Sequence, residues 1–248
     1  MESTRGALSR EYYLRDTIDV ARDLLGCVLA RWTPDGLVTG RISETEAYEQ
    51  REPSCHSHRG KTARNAVMFG APGHAYVYFT YGMHFCFNAV SGEEGVANAV
   101  LIRAVEPIVG WELMCRRRGL GEEEQALGSR QSTFGDGIAD SERAAGTQAV
   151  GGRRSEDPEI QPAGGEARTR VRFARILCGG PGRLCQAFAI GREDNGVDLT
   201  TGLGLWIEPG AEGVGHRAAP DATRRIGIRQ ATDLPWRFTL PGDPYTSR

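Results

Sequence analysis

Short runs in which apolar and polar residues alternate dominate the sequence, and this period of two is typical of strands with one buried face. Residues 27–32 and 37–48 alternate in this way and are separated by the turn signal Pro34-Asp35-Gly36, so they predict a hairpin. Further strands are expected over residues 75–81, 84–90, 98–105, 204–208, 224–229 and 236–240.

Helical periodicity is less common along the chain. Residues 16–26 contain a capping Asp-Thr pair, apolar residues at helical spacing and a closing glycine, which predict a helix. Pro107 suits the first position of a second helix that ends near Gly119, and a glycine-rich turn precedes a third helix over 183–190. Short strands joined by hairpins, with few helices, predict a single α+β domain over residues 1–248 with an antiparallel β-sheet flanked by helices.

Residues 121–170 interrupt this pattern. The segment is rich in Gly, Ser, Glu, Gln and Ala, is poor in aromatic residues and has no sustained periodicity. It holds ten acidic and six basic residues, which leaves a charge of +2 on the rest of a chain whose total is −2. We expect a flexible insertion that the fold does not need, because the segment has little apolar surface to offset the entropy of ordering.

The composition, with 40% hydrophobic and 25% charged residues, is that of a soluble globular protein, and the polar N-terminal residues favour a cytoplasmic location. No apolar run approaches the roughly 20 residues of a membrane helix, so no membrane association is expected. The polar N-terminus lacks the apolar core of a signal peptide. The six cysteines include no C-x-x-C pair and are expected to be free thiols.

By the period of two, one face of a predicted strand carries Ile42, the two carboxylates Glu44 and Glu46, and Tyr48. Alternate strand residues are roughly 6.5–7 Å apart, close to the separation of the paired carboxylates of inverting glycosidases. Such a pair is also common on a solvated strand face. The apolar partner strand and the tyrosine favour burial of one carboxylate, and burial beside a like charge raises a carboxyl pKa toward that of a general base.

The segment Cys55-His56-Ser57-His58 can be interpreted as a set of zinc ligands. No second cluster has ligand spacing, and the H-x-E and P-C-x-x-C signature of zinc deaminases is absent from the sequence. We therefore expect no metal and no cofactor, and a histidine that stacks or forms hydrogen bonds.

Tyr76, Tyr78 and Tyr81 fall in or beside one predicted strand, where tyrosine is common. The pair Tyr81-Gly82 differs, because a glycine after an aromatic residue at a strand end predicts a tight turn that exposes the ring. Insertion into a base stack is one use of an exposed aromatic ring. The glycine-rich turn before Arg183 offers backbone N–H groups to an anion, but it lacks the spacing of a nucleotide P-loop.

Taken together, these motifs resemble the alkyladenine (3-methyladenine) DNA glycosylase family. The resemblance runs from about residue 12 to the C-terminus and skips residues 121–170. The matching motifs are Glu44-Thr45-Glu46-Ala47-Tyr48, His56-Ser57, Arg59-Gly60, Arg64-Asn65, Met68-Phe69, Pro72-Gly73, Tyr76-Val77-Tyr78, Tyr81-Gly82-Met83, Phe85-Cys86, Asn88, Leu101-Ile102-Arg103-Ala104, Gly180-Pro181, Leu184-Cys185-Gln186-Ala187, Arg225-Ile226-Gly227-Ile228 and Pro235-Trp236-Arg237-Phe238.

The resemblance implies a curved antiparallel sheet and a monofunctional enzyme that flips alkylated or deaminated purine nucleotides out of DNA. Glu46 would activate a water for hydrolysis of the N-glycosidic bond and leave an abasic site. Arg103, and the backbone carbonyl near Leu205, would help to hold that water. The partner would be double-stranded DNA with damaged purines, bound by a monomer associated with the nucleoid.

The resemblance also assigns the base pocket and the DNA contacts. It places the flipped base between Tyr48, His56 and Tyr78, with His84 in the pocket wall and Asn88 disfavouring the exocyclic amino group of guanine. The remaining assignments are Tyr81 and Met83 for intercalation, and Thr62, Arg64 and Arg183 for phosphate contacts.

Two positions depart from the family pattern. Ala63 stands where many relatives carry proline, and His84 stands where the mammalian enzyme has tyrosine. Two other functions remain open at this point: a carbohydrate glycosidase that uses both Glu44 and Glu46, and a nucleic-acid-binding module without catalysis. The sequence does not distinguish 3-methyladenine, 7-methylguanine, ethenoadenine and hypoxanthine as lesions.

Overall fold

The computed structural model describes residues 6–121, 164–211 and 219–247, and the side chains of the helical residues 164–166 are not described. The helices of these ranges are α1 (Arg10–Tyr13), α2 (Thr17–Asp23), α3 (Trp111–Arg118), α4 (Gly164–Cys178) and α5 (Pro181–Ala187), with short 3-10 turns at Ala66–Phe69 and Arg192–Asp194. The strands are β1 (Val28–Thr33), β2 (Gly36–Tyr48), β3 (Ala75–Thr80), β4 (His84–Ser91), β5 (Asn98–Val109), β6 (Leu205–Glu208), β7 (Asp221–Thr223) and β8 (Arg237–Thr239).

One antiparallel sheet organises the protein, and β2 is its central strand. The strand order is β3-β4-β5-β2-β1-β6, and β8 pairs with both β2 and β7. The first half of β2 forms the predicted hairpin with β1, whereas its second half lies between β5 and β8. The described residues form a single α+β domain with a curved antiparallel sheet, which confirms the predicted fold class.

The two faces of the sheet have different roles, because strand side chains alternate between them. Ile42, Val77, Phe87 and Ile102 point into the main core, where they pack with buried residues of the helices, such as Leu177 of α4. On the opposite face, a smaller cluster beneath the loop after β2 contains Cys55, Met68, Tyr76, Val90, Ala97 and Ala99, with Tyr48 and Tyr78 packed against it. The second face carries the residues in which the sequence concentrates its chemistry.

The predicted start of a helix at Pro107 is wrong. Strand β5 continues through Pro107, which pairs with Gly40, and α3 begins at Trp111 after Gly110 adopts a φ of 81°. The β2–β5 register shifts beside Gly40, and a Cβ atom at Gly40 would lie 2.8 Å from Val105 Cγ2. A proline can occupy a strand at such an irregularity, because the ladder hydrogen bonds are already disturbed there.

Two other element boundaries differ from the prediction. The strand expected over 224–229 is wrong: the strand β7 ends before it, at Thr223, and residues 225–228 form an irregular loop in which Gly227 has a φ of 79°. Helix α5 begins with Pro181 in its first turn and ends at Ala187. Ala189, which was expected to be helical, has a φ of 49°, so the helix cannot continue through it.

Residues 122–163 of the predicted insertion lie outside the described residues. Its last part, residues 164–170, belongs to α4 and is not an irregular segment. Farther along this helix, Phe173 is buried and stacks on Trp111 of α3, with ring centroids 5.7 Å apart. A deletion of 121–170 would therefore remove the first half of a helix that packs on the core.

Within the described ranges, no helix has both the length and the apolar character needed to cross a membrane.

Glu44 links the central strand to the C-terminal segment. Its side chain is fully buried, and Oε1 lies 2.9 Å from Arg103 Nε on β5 and 2.6 Å from Arg237 Nε on β8. Ser247 donates its backbone N–H to Oε2 at 2.5 Å and its hydroxyl to Oε1 at 2.9 Å. Burial raises the pKa of this carboxyl, but Arg103 and Arg237 outweigh burial, so the pKa of Glu44 is lowered.

We expect Glu44→Gln to destabilise the fold at neutral pH by about 3–5 kcal/mol, because the buried Arg103 loses one of its two carboxylates and the partly buried Arg237 loses its carboxylate partner. A depressed folded pKa contributes stability above the unfolded value, near 4.3, that disappears as the pH falls through the folded pKa. Urea unfolding from pH 3 to 8 should therefore show the difference from wild type shrinking in acid.

Asp19→Asn is the matched control, because Asp19 forms an exposed ion pair with Arg22 at 3.6 Å. Such pairs contribute about 0–1 kcal/mol. An equally small effect of Glu44→Gln, or a difference that persists unchanged at pH 3, would contradict the assignment of Glu44 as a structural anion.

Candidate active site

A cavity of about 560 Å³ opens on the sheet face opposite the helices. Strands β2 to β5 form its floor, and the loops around His56 and Ile226 form its sides. The strand residues in its wall alternate along each strand, as one face of a sheet requires. They are Tyr48, Tyr76, Tyr78, Thr80, Cys86, Asn88, Ala99, Leu101 and Arg103.

Glu46 lies directly behind this wall. The carboxylate is fully buried and is not itself a lining residue, but its three hydrogen-bond and ion-pair partners are. Tyr48 donates its hydroxyl to Oε2 at 2.8 Å, Ile226 donates its backbone N–H to Oε1 at 2.7 Å, and Arg103 Nη1 lies 3.3 Å from Oε1. Hydrogen bonds and an ion pair therefore link Glu46 to three cavity-lining residues, each on a different part of the fold.

The two glutamates differ in charge state because their partners differ. Burial raises the pKa of Glu46, and Arg103, the Ile226 N–H and the Tyr48 hydroxyl only partly oppose that effect. The pKa of Glu44 is lowered instead, as described above. The fold thus favours the anion at Glu44 and disfavours it at Glu46, so only Glu46 is a carboxylate suited to accept a proton.

A group of three aromatic side chains forms another part of the cavity wall. The rings of His56 and Tyr78 meet edge to face with centroids 4.5 Å apart, and those of Tyr76 and Tyr78 lie 5.4 Å apart. His56 Nδ1 lies 3.0 Å from the hydroxyl of Tyr76. Partial burial and the nearby Arg64 charge lower the pKa of His56, so the imidazole is favoured in its neutral form.

Two asparagines fix the shape of the site. Asn88 is buried in the cavity wall and donates Nδ2 to the Tyr76 carbonyl at 3.0 Å, which orients its amide. Asn65, also buried, donates to the carbonyls of His56 and Gly60 and accepts the Thr62 backbone N–H at 2.6 Å. Asn65 thereby holds the loop that carries both His56 and Thr62.

Tyr81 stands at the tip of the β3–β4 hairpin, at the rim of the cavity. Its side chain is 78% exposed, and its φ of 51° is a conformation that costs a non-glycine residue free energy. Gly82 follows with a φ of 69°, and Met83 is 70% exposed. The hairpin tip therefore presents two large apolar side chains to solvent, as the Tyr81-Gly82 pair predicts.

The candidate phosphate contacts are all exposed. Thr62 and Arg64 lie in the loop held by Asn65, and Arg183 lies in the first turn of α5. Arg64 donates to the Phe79 carbonyl at 3.2 Å, and its guanidinium carbon lies 5.5 Å from the Tyr78 ring centroid. The polar groups of these three side chains are accessible to solvent.

Two predicted pocket residues lie elsewhere. Leu205 is fully buried in the main core on the helix side of the sheet, where β6 pairs with β1 and is separated from β2 by that strand. His84 is exposed and sits against α5, where a Cβ atom at Gly182 would be 2.9 Å from its Cγ. The structure therefore does not bring Leu205 or His84 to the cavity wall.

The loop after β7 supplies a backbone N–H to Glu46, whereas a backbone carbonyl near Leu205 was expected to hold the water. Ile226 contacts Glu46, and Ile226 to Gln230 line the cavity. The preceding residue, Arg225, is buried and was assigned no role from the sequence. The motif Arg225-Ile226-Gly227-Ile228 was the sequence feature from which this contact could have been predicted. Because we interpreted the motif as a strand, we did not predict that it lies against Glu46.

Most of the chain matches the profile of the methylpurine-DNA glycosylase family, over residues 11–139 and 154–244. Between these two ranges only residues 140–153 are unmatched. Most of the segment 121–170, which the sequence resemblance skipped, therefore also matches the family profile. Its irregular composition had concealed this similarity.

Relatives support the same conclusion over nearly the full chain. The chain is 42% identical over 241 residues to a protein named "Putative 3-methyladenine DNA glycosylase" from Carboxydothermus hydrogenoformans, covering 97% of this chain and 98% of the relative. A protein of the same name from Methanoculleus marisnigri is 38% identical with the same coverage. One from Rubrobacter xylanophilus is 39% identical over 89% of this chain and 87% of its own length. On these matches and on the cavity beside Glu46, the chain belongs to the methylpurine-DNA glycosylase family.

Proposed function

We propose that this protein removes alkylated or deaminated purines from double-stranded DNA by hydrolysing the N-glycosidic bond with a water activated by Glu46. The observation that carries the proposal is the position of Glu46 behind the cavity wall, with a raised pKa and with Tyr48, Ile226 and Arg103 as partners. A carboxylate whose pKa is raised is the stronger general base. In addition, the fold does not require Glu46 to be an anion.

The water reaches Glu46 from the cavity side, next to Arg103. Oε2 of Glu46 accepts the Tyr48 hydroxyl, which leaves it a further lone pair for a water proton. The Arg103 guanidinium lines the cavity and bridges both glutamates, so it can orient the water oxygen without being displaced. As the water attacks the deoxyribose C1′, its proton passes to Glu46 and the bond to the base nitrogen breaks.

The damaged base enters the cavity by rotation out of the duplex, which costs a few kcal/mol and least for a damaged base. Tyr48 on one side and His56 with Tyr78 on the other provide stacking surfaces. The fixed amide of Asn88 faces the base and disfavours the exocyclic amino group of guanine. A neutral His56 adds no positive charge against a cationic alkylpurine.

The same face of the protein binds the duplex. Tyr81 and Met83 project from the hairpin tip at the cavity rim, where an apolar side chain can fill the space that a flipped nucleotide leaves. Thr62, Arg64 and Arg183 are the phosphate contacts in this arrangement, because their polar side chains are exposed and Arg64 lies beside Tyr78 of the cavity wall.

The reaction ends at an abasic site. Strand cleavage by a glycosylase needs an amine that forms a Schiff base, and Lys61 is the only lysine of the sequence. Lys61 is exposed, and its Nζ lies 5.6 Å from the Phe69 ring centroid. It is not among the residues of the cavity wall.

A carbohydrate glycosidase is a weaker interpretation of the glutamate pair. That mechanism needs two carboxylates that flank the scissile bond. Both oxygens of Glu44 already accept hydrogen bonds, from Arg103, Arg237 and Ser247. Only Glu46 is left to act on a substrate.

Glu46→Gln should abolish base release and leave lesion affinity nearly unchanged, because the stacking rings and phosphate contacts are untouched. The measurement is free base released from duplexes containing 1,N6-ethenoadenine, hypoxanthine or 7-methylguanine, with duplex binding measured in parallel. Glu49→Gln is the matched control, since Glu49 is also buried but pairs with Arg51 and does not line the cavity. Base release that survives in Glu46→Gln, or that is lost equally in Glu49→Gln, would refute the proposal.

The pH profile of base release should report the raised pKa of Glu46. A general base must be ionised, so single-turnover release of a neutral lesion should rise with pH to a plateau, with its midpoint above the ordinary glutamate pKa of about 4.3. Tyr48→Phe keeps the ring but removes a hydrogen bond that lowers the pKa of Glu46, so the midpoint should move to higher pH. Tyr76→Phe loses a hydroxyl that contacts His56 and should leave the midpoint in place. A midpoint that both variants leave unmoved would argue against Glu46 as the titrating base.

Tyr81→Ala should weaken binding to a lesion in duplex DNA about tenfold or more and should barely affect binding to a lesion in a flexible single strand. The reason is that only the duplex has a vacated stack to fill. Leu203→Ala is the control, because Leu203 is 61% exposed and lies before β6, away from the cavity. Equal losses on the two substrates would indicate that Tyr81 is a general contact and not a wedge.

A further inference from the structure

Arg225 is a buried cation that lies against a ring of the cavity wall. Its side chain has no exposed surface, and its guanidinium carbon lies 4.6 Å from the Tyr48 ring centroid and 5.3 Å from that of Trp236. Although the neighbouring residue Ile226 lines the cavity, Arg225 does not. The guanidinium therefore contacts Tyr48 from the side turned away from the cavity.

Glu52 neutralises this cation. Arg225 Nη1 donates to Glu52 Oε1 at 2.7 Å and Nη2 donates to Oε2 at 3.1 Å, so the pair is bidentate. Glu52 is buried too, with 4% of its side chain exposed, and it comes from the loop after β2. Nη1 also donates to the Ala47 carbonyl at 2.9 Å, which fixes the pair beneath the end of the strand that carries Tyr48.

The charge behind Tyr48 affects what can stack in front of it. An aromatic ring attracts a cation to its face through its quadrupole. A second cation on the opposite side of the same ring repels the first, and repulsion is strong where water is excluded. A carboxylate bound to the rear cation cancels most of that repulsion, because the two charges of an ion pair offset each other at a distance.

We propose that the Arg225–Glu52 ion pair determines how the cavity discriminates cationic from neutral purines, by setting the net charge behind Tyr48. This inference rests on the proposed function, in which the flipped base stacks on Tyr48. With the pair intact the rear of the ring is neutral, and a cationic alkylpurine keeps its attraction to the ring. The pair acts through Tyr48 and does not touch the substrate.

The test uses variants that change the rear charge in opposite directions. Glu52→Gln leaves a buried cation, Arg225→Met leaves a buried carboxyl group, and the double variant Arg225→Met/Glu52→Gln leaves neither charge. Arg225→Lys keeps the charge of the pair with different geometry. All are made in the Glu46→Gln background, so that dissociation constants can be measured without turnover for duplexes carrying 7-methylguanine, a cation, or hypoxanthine, which is neutral.

The measured quantity is the ratio of the two dissociation constants, since a purely structural change would weaken both lesions alike. Glu52→Gln should lower the preference for 7-methylguanine by about tenfold, on the scale of a desolvated cation–π contact. Arg225→Met should raise that preference, because the Glu52 carboxylate is then left behind the ring without its cation. In the double variant and in Arg225→Lys, the ratio should lie within about twofold of the ratio measured for the Glu46→Gln background protein.

Breaking one member of a buried pair can prevent folding, so urea unfolding accompanies each binding measurement. If Glu52→Gln does not fold, the double variant and Arg225→Met still test the sign of the effect. A ratio that stays constant in all folded variants would overturn the inference while lesion binding persists. Failure of the Glu46→Gln protein to bind either lesion, or of the wild type to release free base, would instead overturn the proposed function.

Discussion

The Arg103 guanidinium between Glu44 and Glu46 is the interaction on which the rest of the site depends. Three charged side chains are buried on one sheet face, and Arg103 contacts both carboxylates. Because Arg237 and Ser247 also bind Glu44, that glutamate is held as the anion. Glu46 has only one shared cation and two neutral donors, so burial raises its pKa. Arg103 thus binds both Glu44, which stabilises the fold, and Glu46, which can accept a proton.

Sheet geometry explains why these groups meet. Residues two apart on a strand face the same way, so β2 delivers Glu44, Glu46 and Tyr48 to one side, while β5 brings Arg103 to the same side. The opposite face packs against the helices and gives the strands a fixed support. The aromatic and amide groups from β3 and β4 then close a cavity whose rim carries the strained residue Tyr81. The chemistry we propose therefore rests on a rigid sheet, and the contacts to DNA rest on loops.

Local patterns in the sequence were sufficient for most of the strands. The strand over 37–48 and the Tyr81-Gly82 turn each depend on neighbouring residues, and both are present in the structure. The prediction that Ile42 shares a face with Glu44 and Glu46 is wrong, because β2 is irregular between Ile42 and Glu44 and Ile42 lies in the main core. Interactions between distant residues were not accessible in this way. Arg225 and Glu52 are 173 positions apart, and Pro107 remains in a strand because of its partner Gly40. Leu205 was assigned from the resemblance alone, and its pairing with β1 places it in the core.

The most direct test of the central claim is a crystal structure of the Glu46→Gln protein bound to duplex DNA containing 1,N6-ethenoadenine. The account predicts the base stacked against Tyr48 in the cavity, Tyr81 inside the duplex, and a water between residue 46, Arg103 and the deoxyribose C1′. A lesion that remains in the helix, or a flipped base whose C1′ lies beyond the reach of any water near residue 46, would contradict it.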